Sequence, residues 1–340
     1  MTAKYFRYLL NFKRPSGTAR GVLLDKETYI LEVFDNDKKG IGECAIFRGL
    51  SFDDRPDYEE KLQWLCNNIN QKPEFLKDEL KESPSIWFGY EQALLNLKHG
   101  KNIYFPSEFT EGKSAITING LIWMGDIEYM QEQITDKLEK GFYCIKLKIG
   151  VNWQSEHTIL QKLRKKFTKD QLEIRVDANG GFTKDKAKIV LKQLADLQIH
   201  SIEQPIKAGK WDDMTELCSH TPTPIALDEE LIGIIDYSEK KKLLETVKPQ
   251  YIILKPALAG GFSGSDEWIS LAEQLNIKWW ITSALESNIG LNAISQYTFT
   301  KKSNMPQGLG TGNLFTNNFP SPLHLDGDKL FFETYILENS

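Results

Sequence analysis

Lys146 and Lys148 hold alternate positions in Cys144-Ile145-Lys146-Leu147-Lys148-Ile149, a short apolar run with strand character. In an extended strand successive side chains point to opposite faces, so both ammonium groups enter one space while Ile145, Leu147 and Ile149 face another. Two like charges held close disfavour protonation, which is expected to bring at least one of these lysines into the range of a general base. An isolated K-x-K is more often an edge strand whose lysines discourage pairing. The rest of the chain argues for chemistry.

Four further charged residues close short apolar runs: Asp177 after Ile174-Arg175-Val176, Glu203 after Ser201-Ile202, Asp228 after Ile225-Ala226-Leu227, and Lys255 after Tyr251-Ile252-Ile253-Leu254. Starting from Lys148, they follow one another at separations of 29, 26, 25 and 27 residues, each the length of one strand-helix unit. If the strands are parallel and adjacent, their C-terminal ends share a rim, where (β/α) barrels carry their catalytic residues. An open Rossmann-type sheet would alternate in the same way, but no G-x-G-x-x-G follows an early strand. Three carboxylates brought together without a cation would repel one another and destabilise the fold. Taken singly, Asp177, Glu203 or Asp228 is more often a helix cap or ion-pair partner. As a set at one register they favour a metal site, and an all-oxygen donor set without Cys or His favours Mg²⁺, with Mn²⁺ as substitute.

The elements that must position these groups follow from periodicity. Strand-like runs at 5–12, 21–25, 29–34 and 40–44 and helical patterns at 58–69 and 85–97 predict an N-terminal α+β module. The loop at 14–20, with Arg14 and Arg20, reads as a hairpin tip or a flap that touches ligand. From about Ser114 short apolar strands alternate with amphipathic helices, as where Ile127, Met130, Ile134 and Leu138 share one helical face. The last barrel strands are expected at 279–283 and 306–309, with a further strand-like run at 331–337.

The 340 residues are 41% hydrophobic and 26% charged, which suits a soluble globular chain of one large or two ordinary domains. A net charge of −5 without a long basic run argues against nucleic acid as main partner. Cys44, Cys66, Cys144 and Cys218 show no C-x-x-C spacing, which fits a reducing cytoplasm. Met1 to Leu10 lacks the pattern of a signal peptide, and no stretch has the length and apolarity of a membrane span.

The K-L-K strand, R-V-D-A-N-G-G, I-E-Q-P, A-L-D-E, L-K-P-A-L-A-G-G and T-S-A-L-E-S-N-I-G together resemble the enolase superfamily, muconate-lactonising-enzyme subgroup. The resemblance implies an α/β fold, a modified (β/α)₇β TIM-type barrel over 114–315. An α+β capping domain would be formed by 1–113 and a C-terminal return over 316–340. It implies Asp177, Glu203 and Asp228 as ligands of Mg²⁺, Lys148 as the base and Lys255 as the lysine on the opposite face. Lys146 would stand beside the carboxylate of a small-molecule substrate and lower the pKa of Lys148. Asn179, Gly260, Ser283 and Glu286 become candidate substrate contacts. Ser283-Ala284-Leu285-Glu286-Ser287-Asn288 resembles the seventh-strand motif of members that dehydrate a succinylated hydroxycyclohexadiene carboxylate through an enediolate. Alternatives on the same scaffold are epimerisation of dipeptides or racemisation of N-succinylamino acids, a muconate-type cycloisomerisation, and a metal-binding barrel without turnover. No D-x-D stands in the eighth-strand region, which argues against the dipeptide epimerases, and Glu229-Glu230 after Asp228 departs from the Glu-Ser or Glu-Asp of relatives.

Overall fold

A computed structural model describes residues 1–18 and 21–334. The chain opens with a three-stranded antiparallel sheet in sequence order: β1 (Thr2–Thr18), β2 (Gly21–Asp35) and β3 (Lys38–Cys44). Three helices follow, α1 (Tyr58–Asn67), α2 (Pro73–Glu79) and α3 (Pro84–His99). Their apolar residues, among them Leu62, Leu65, Leu76 and Ile86, close over Tyr29, Leu31 and Val33. Helix α3 lies so close to β3 that a Cβ on Gly42 would sit 1.9 Å from the Gly89 carbonyl oxygen, so glycine is required there.

One expectation changes here. The runs at 21–25 and 29–34 form one strand, and Lys26 and Thr28 between them are buried on its inner face. Residues 14–18 continue β1, with Ser16 paired to Leu23 and Gly17 to Val22, so the loop is the end of a long hairpin. Ala19 and Arg20 lie outside the described residues.

The second layer begins with β4 (Ile116–Thr117) and β5 (Gly120–Ile122). Units of helix and strand follow: α4 (Ile127–Glu139), β6 (Cys144–Lys148), α5 (Trp153–Lys166), β7 (Glu173–Asp177), α6 (Lys184–Asp196) and β8 (Ser201–Glu203). Then come α7 (Trp211–His220), β9 (Ile225–Leu227), α8 (Tyr237–Val247), β10 (Tyr251–Leu254), α9 (Gly261–Gln274), β11 (Lys278–Ile281) and α10 (Asn288–Thr300). Strands β5 to β11 form one parallel sheet in sequence order. The barrel is closed by the segment expected at 306–309, where Gln307 bridges Ile118 and Gly308 bridges Thr282. This is a (β/α)₇β barrel. Its strands are buried on both faces, as parallel sheets between helices must be.

Two glutamates of the N-terminal module cap two barrel helices. Glu43 accepts from the Ser287 and Gly290 amides at 2.9 Å and from the Ser287 hydroxyl at 2.6 Å, at the start of α10. Glu91 accepts from the Phe262 and Ser263 amides at 2.6 and 3.1 Å, at the start of α9. A carboxylate at a helix N-terminus satisfies orphan N–H groups and opposes the helix dipole.

After the barrel, Phe315 bridges Phe12, and Asn317 accepts from the Asn11 amide at 2.8 Å. The hairpin β12 (Leu323–Asp326) and β13 (Lys329–Phe332) then pairs with β4. The strand expected at 331–337 thus occurs at Lys329–Phe332 and joins β4 rather than the β1–β3 sheet; residues 335–337 lie outside the described ones.

Candidate active site

Parallel register aligns the charged residues. Lys148 lies opposite Asp177, and Asp177 opposite Glu203. Asp228 and Lys255 each follow the last residue of β9 and β10. Lys146 Nζ donates to Glu203 Oε2 at 2.7 Å and to Asp177 Oδ2 at 3.4 Å. Lys148 Nζ donates to Asn179 Oδ1 at 2.8 Å and to Asp177 Oδ2 at 3.2 Å. Lys255 pairs with Asp228 and stands 3.9 Å from Glu203 Oε1. Asn179, in a left-handed conformation at φ 42°, donates to Glu229 at 3.0 Å. Gln204 accepts from the Asp228 and Glu230 amides at 3.1 and 3.3 Å and donates to the Glu230 carboxylate at 3.0 Å. Glu229 and Glu230 therefore brace the loops that present Asn179 and Asp228.

Charge balance sets the protonation of this cluster. Burial alone would lower the pKa of Lys146, but Glu203 and Asp177 raise it above the ordinary lysine value. Burial likewise opposes Lys255, and Asp228, Glu203 and Glu229 raise it. The expected depression by like charge is thus reversed at Lys146, because its nearest charges are carboxylates. Burial raises Glu203, with Asp177 and Asp228 adding to the effect, while Lys148, Lys146 and Lys255 outweigh burial at Asp177 and hold it well below the usual range.

Among the described residues no three Asp, Glu, His or Cys side chains stand as a ready coordination shell; each carboxylate is turned toward a lysine. The donors nonetheless fit a hard divalent cation. They are all oxygens, 1–2% exposed, at the ends of three consecutive strands, and Glu203 Oε1 is buried without a hydrogen-bond partner.

A cavity opens above these groups, lined by Lys146, Lys148, Asp177, Asn179, Lys255 and Ser283. Walls that sequence reasoning missed are Phe47 and Leu50 from the loop after β3 and Asn119 and Trp123 from either end of β5; Thr311, after the eighth strand, lines the cavity with them. The Trp123 ring centroid lies 5.9 Å from Lys148 Nζ, a cation–π distance. No charge pattern marks these residues. The loop after β3 is the one available signal, since connections beside a rigid sheet carry binding groups.

Two candidate contacts lie elsewhere. Gly260 borders a separate cleft near Trp87 and Lys240, and the anion at its helix is Glu91. Glu286 is fully buried behind the wall, where its carboxylate accepts from the Ser283 hydroxyl at 2.6 Å and the Ala284 amide at 2.8 Å. Arg175 faces inward as alternation predicts, but one layer below the site, its guanidinium 4.3 Å from the Trp280 ring centroid.

The barrel with lysines and carboxylates at one rim defines the class. Residues 129–326 match the family described as enolase C-terminal domain-like, and the chain belongs to that family. In particular, it is 43% identical to the o-succinylbenzoate synthase of Desulfotalea psychrophila, over 97% of this chain and 98% of that one. The crystal structure of MenC from Desulfotalea psychrophila superposes with a TM-score of 0.86 at 39% identity, covering 97% of this chain and 99% of that chain. The o-succinylbenzoate synthase of Thermosynechococcus elongatus, solved with Mg in its active site, shares the fold at a TM-score of 0.77 and 22% identity, over 94% and 96% of the two chains.

Proposed function

We infer that this enzyme is an o-succinylbenzoate synthase, a hydro-lyase that dehydrates 2-succinyl-6-hydroxy-2,4-cyclohexadiene-1-carboxylate to o-succinylbenzoate. The observation that carries the reading is the 43% identity over nearly the whole of both chains. The cavity suits a small carboxylate flanked by lysines.

In this reading Asp177, Glu203 and Asp228 would hold Mg²⁺, with Mn²⁺ as substitute, and a cation bound there would supply Lewis-acid stabilisation to the substrate carboxylate, an effect of several kcal/mol. Lys148 takes the proton beside that carboxylate while Asp177 and Asn179 steady its nitrogen. The same ammonium then returns the proton to the departing hydroxyl on the same face. One C–H and one C–O bond break, water leaves and the ring becomes aromatic. A positioned acid/base of this kind contributes roughly 10²- to 10⁴-fold. Lys255, just after β10, faces the developing negative charge from the other side. Lys146, held by Glu203, adds positive charge beside the substrate carboxylate, and Asn179 and Ser283 complete the wall.

The reading divides the chain into a capping domain at 1–113, a barrel at 114–315 and a return at 316–340. It places the enzyme in the cytoplasm, in keeping with four buried free cysteines. Among the described residues no helix is long and apolar enough to cross a membrane.

One observation favours a second reaction on the same site. Lys148 and Lys255 line one cavity from separate strands, as an epimerase or racemase requires for proton exchange on two faces. Following dehydration and α-proton exchange side by side separates the two: dehydration without exchange supports the synthase, and exchange alone supports the racemase.

A further inference from the structure

The carboxylates and lysines of the cavity come from β6 to β10 and their ends, which leaves β11, the closing strand at 306–309 and β5 to form the opposite side. Hydroxyl groups stand on that side, but their protons are committed within the protein. Thr282 donates to the Gly308 carbonyl at 2.9 Å, Ser283 to Glu286 at 2.6 Å and Thr311 to Ser283 at 2.9 Å. The Ser283 oxygen also accepts from the Leu285 amide at 2.9 Å, so its donor and both its acceptor positions are filled. Gly308 and Gly310 line the same side without side chains.

Asn119 differs from these hydroxyls. Leu121 lies opposite Lys146 in the sheet, and Asn119, two residues earlier, shares the inward face with them. Its backbone is fixed, since Ile118 bridges Gln307 and the Asn119 amide donates to the Gln307 carbonyl at 2.9 Å. The side chain lines the cavity at 3% exposure, yet its Oδ1 has no hydrogen-bond partner among the described residues. A buried carboxamide in that condition is costly until a ligand or a water satisfies it. A half-turn of its terminal torsion exchanges the oxygen for two N–H donors. We propose that Asn119 is a specificity-determining residue whose amide donates to the terminal carboxylate of the succinyl arm. The assignment rests on the synthase reading, which sets the ring carboxylate on the cation side and sends the arm across the barrel. A carboxylate arriving there meets hydroxyls with no proton to give, and Asn119 supplies the donors.

Calorimetry in the presence of Mg²⁺ compares o-succinylbenzoate with 2-acetylbenzoate, which lacks the terminal carboxylate, in the wild type and in Asn119→Leu. The wild type is expected to prefer o-succinylbenzoate by about tenfold or more, the worth of a hydrogen bond to a charged group. Asn119→Leu should lose that preference and keep its affinity for 2-acetylbenzoate within about twofold, whereas general damage to the site would weaken both ligands alike. In turnover its KM for the cyclohexadiene acid should rise about tenfold with kcat within about twofold. Asn119→Asp keeps the oxygens, loses the N–H donors and adds a like charge, so it should bind o-succinylbenzoate more weakly than Asn119→Leu. Equal affinity of the wild type for the two ligands, an Asn119→Leu that keeps the preference or loses both ligands alike, or an Asn119→Asp that binds like the wild type overturns the proposal. When the wild type still dehydrates the cyclohexadiene acid, each of these results strikes the proposal alone. A wild type that neither dehydrates that acid nor binds o-succinylbenzoate overturns the synthase reading and the proposal together.

Discussion

Lys146 Nζ lies 2.7 Å from Glu203 Oε2, a contact that reaches from β6 across β7 to β8 with both side chains buried. Removing the lysine leaves a carboxylate beside Asp177 and Asp228 with less compensating charge. Breaking a buried pair in this way costs about 3–5 kcal/mol. Lys146→Met should therefore unfold at a lower temperature in metal-free buffer, and Mg²⁺ should recover more stability in the variant than in the wild type. Equal gains on adding Mg²⁺ would detach Glu203 from the cation site.

Asp228→Asn removes one anionic donor from the proposed Mg²⁺ site. Titration calorimetry should show affinity reduced by roughly tenfold or more, equivalent to ~1.4 kcal/mol. Unchanged affinity would move that ligand role to Glu229 or Glu230, which in this structure hold Asn179 and Gln204.

The contact of α3 with β3 leaves no room for a methyl group at Gly42, where a Cβ would meet the Gly89 carbonyl at 1.9 Å. Gly42→Ala is expected to destabilise the protein by ~1–3 kcal/mol in denaturant unfolding, as overpacking does. A stability equal to that of the wild type would contradict the packing described.

Glu91, which caps α9, is pushed up to about 7 by burial, against hydrogen bonds from Ser263 and Phe262 that favour the carboxylate. Its folded pKa lies above the unfolded value, so between about pH 4.5 and 7 the folded state holds the extra proton. The contribution of Glu91 to stability is therefore greatest below that window and declines as pH rises through it. Glu91→Gln should flatten the decline; parallel pH profiles of melting temperature in both proteins would remove Glu91 as its source.

The barrel was legible because strand-end charges recur at the length of a βα unit, and the register later aligns Lys148, Asp177 and Glu203. The break foreseen in β2 failed for a physical reason: Lys26 and Thr28 are polar yet buried, and Thr28 donates to Glu43, which in turn accepts from Ser287, 244 residues further along the chain. Single-residue polarity carries no trace of such a partner. The same limit applies to Gly260, whose turn could equally serve a ligand or a protein carboxylate, and to Phe47 and Trp123, whose place in the cavity follows from tertiary packing.

The measurement that bears most directly on the central claim follows loss of the cyclohexadiene acid by ultraviolet absorbance, with Mg²⁺, in the wild type and in Lys148→Ala. α-Proton exchange on dipeptides and N-succinylamino acids is followed beside it. Rapid dehydration by the wild type and a loss of roughly 10²- to 10⁴-fold in kcat in the variant are expected for a single-lysine base. Dehydration undiminished in Lys148→Ala, or exchange without dehydration in the wild type, would contradict the account.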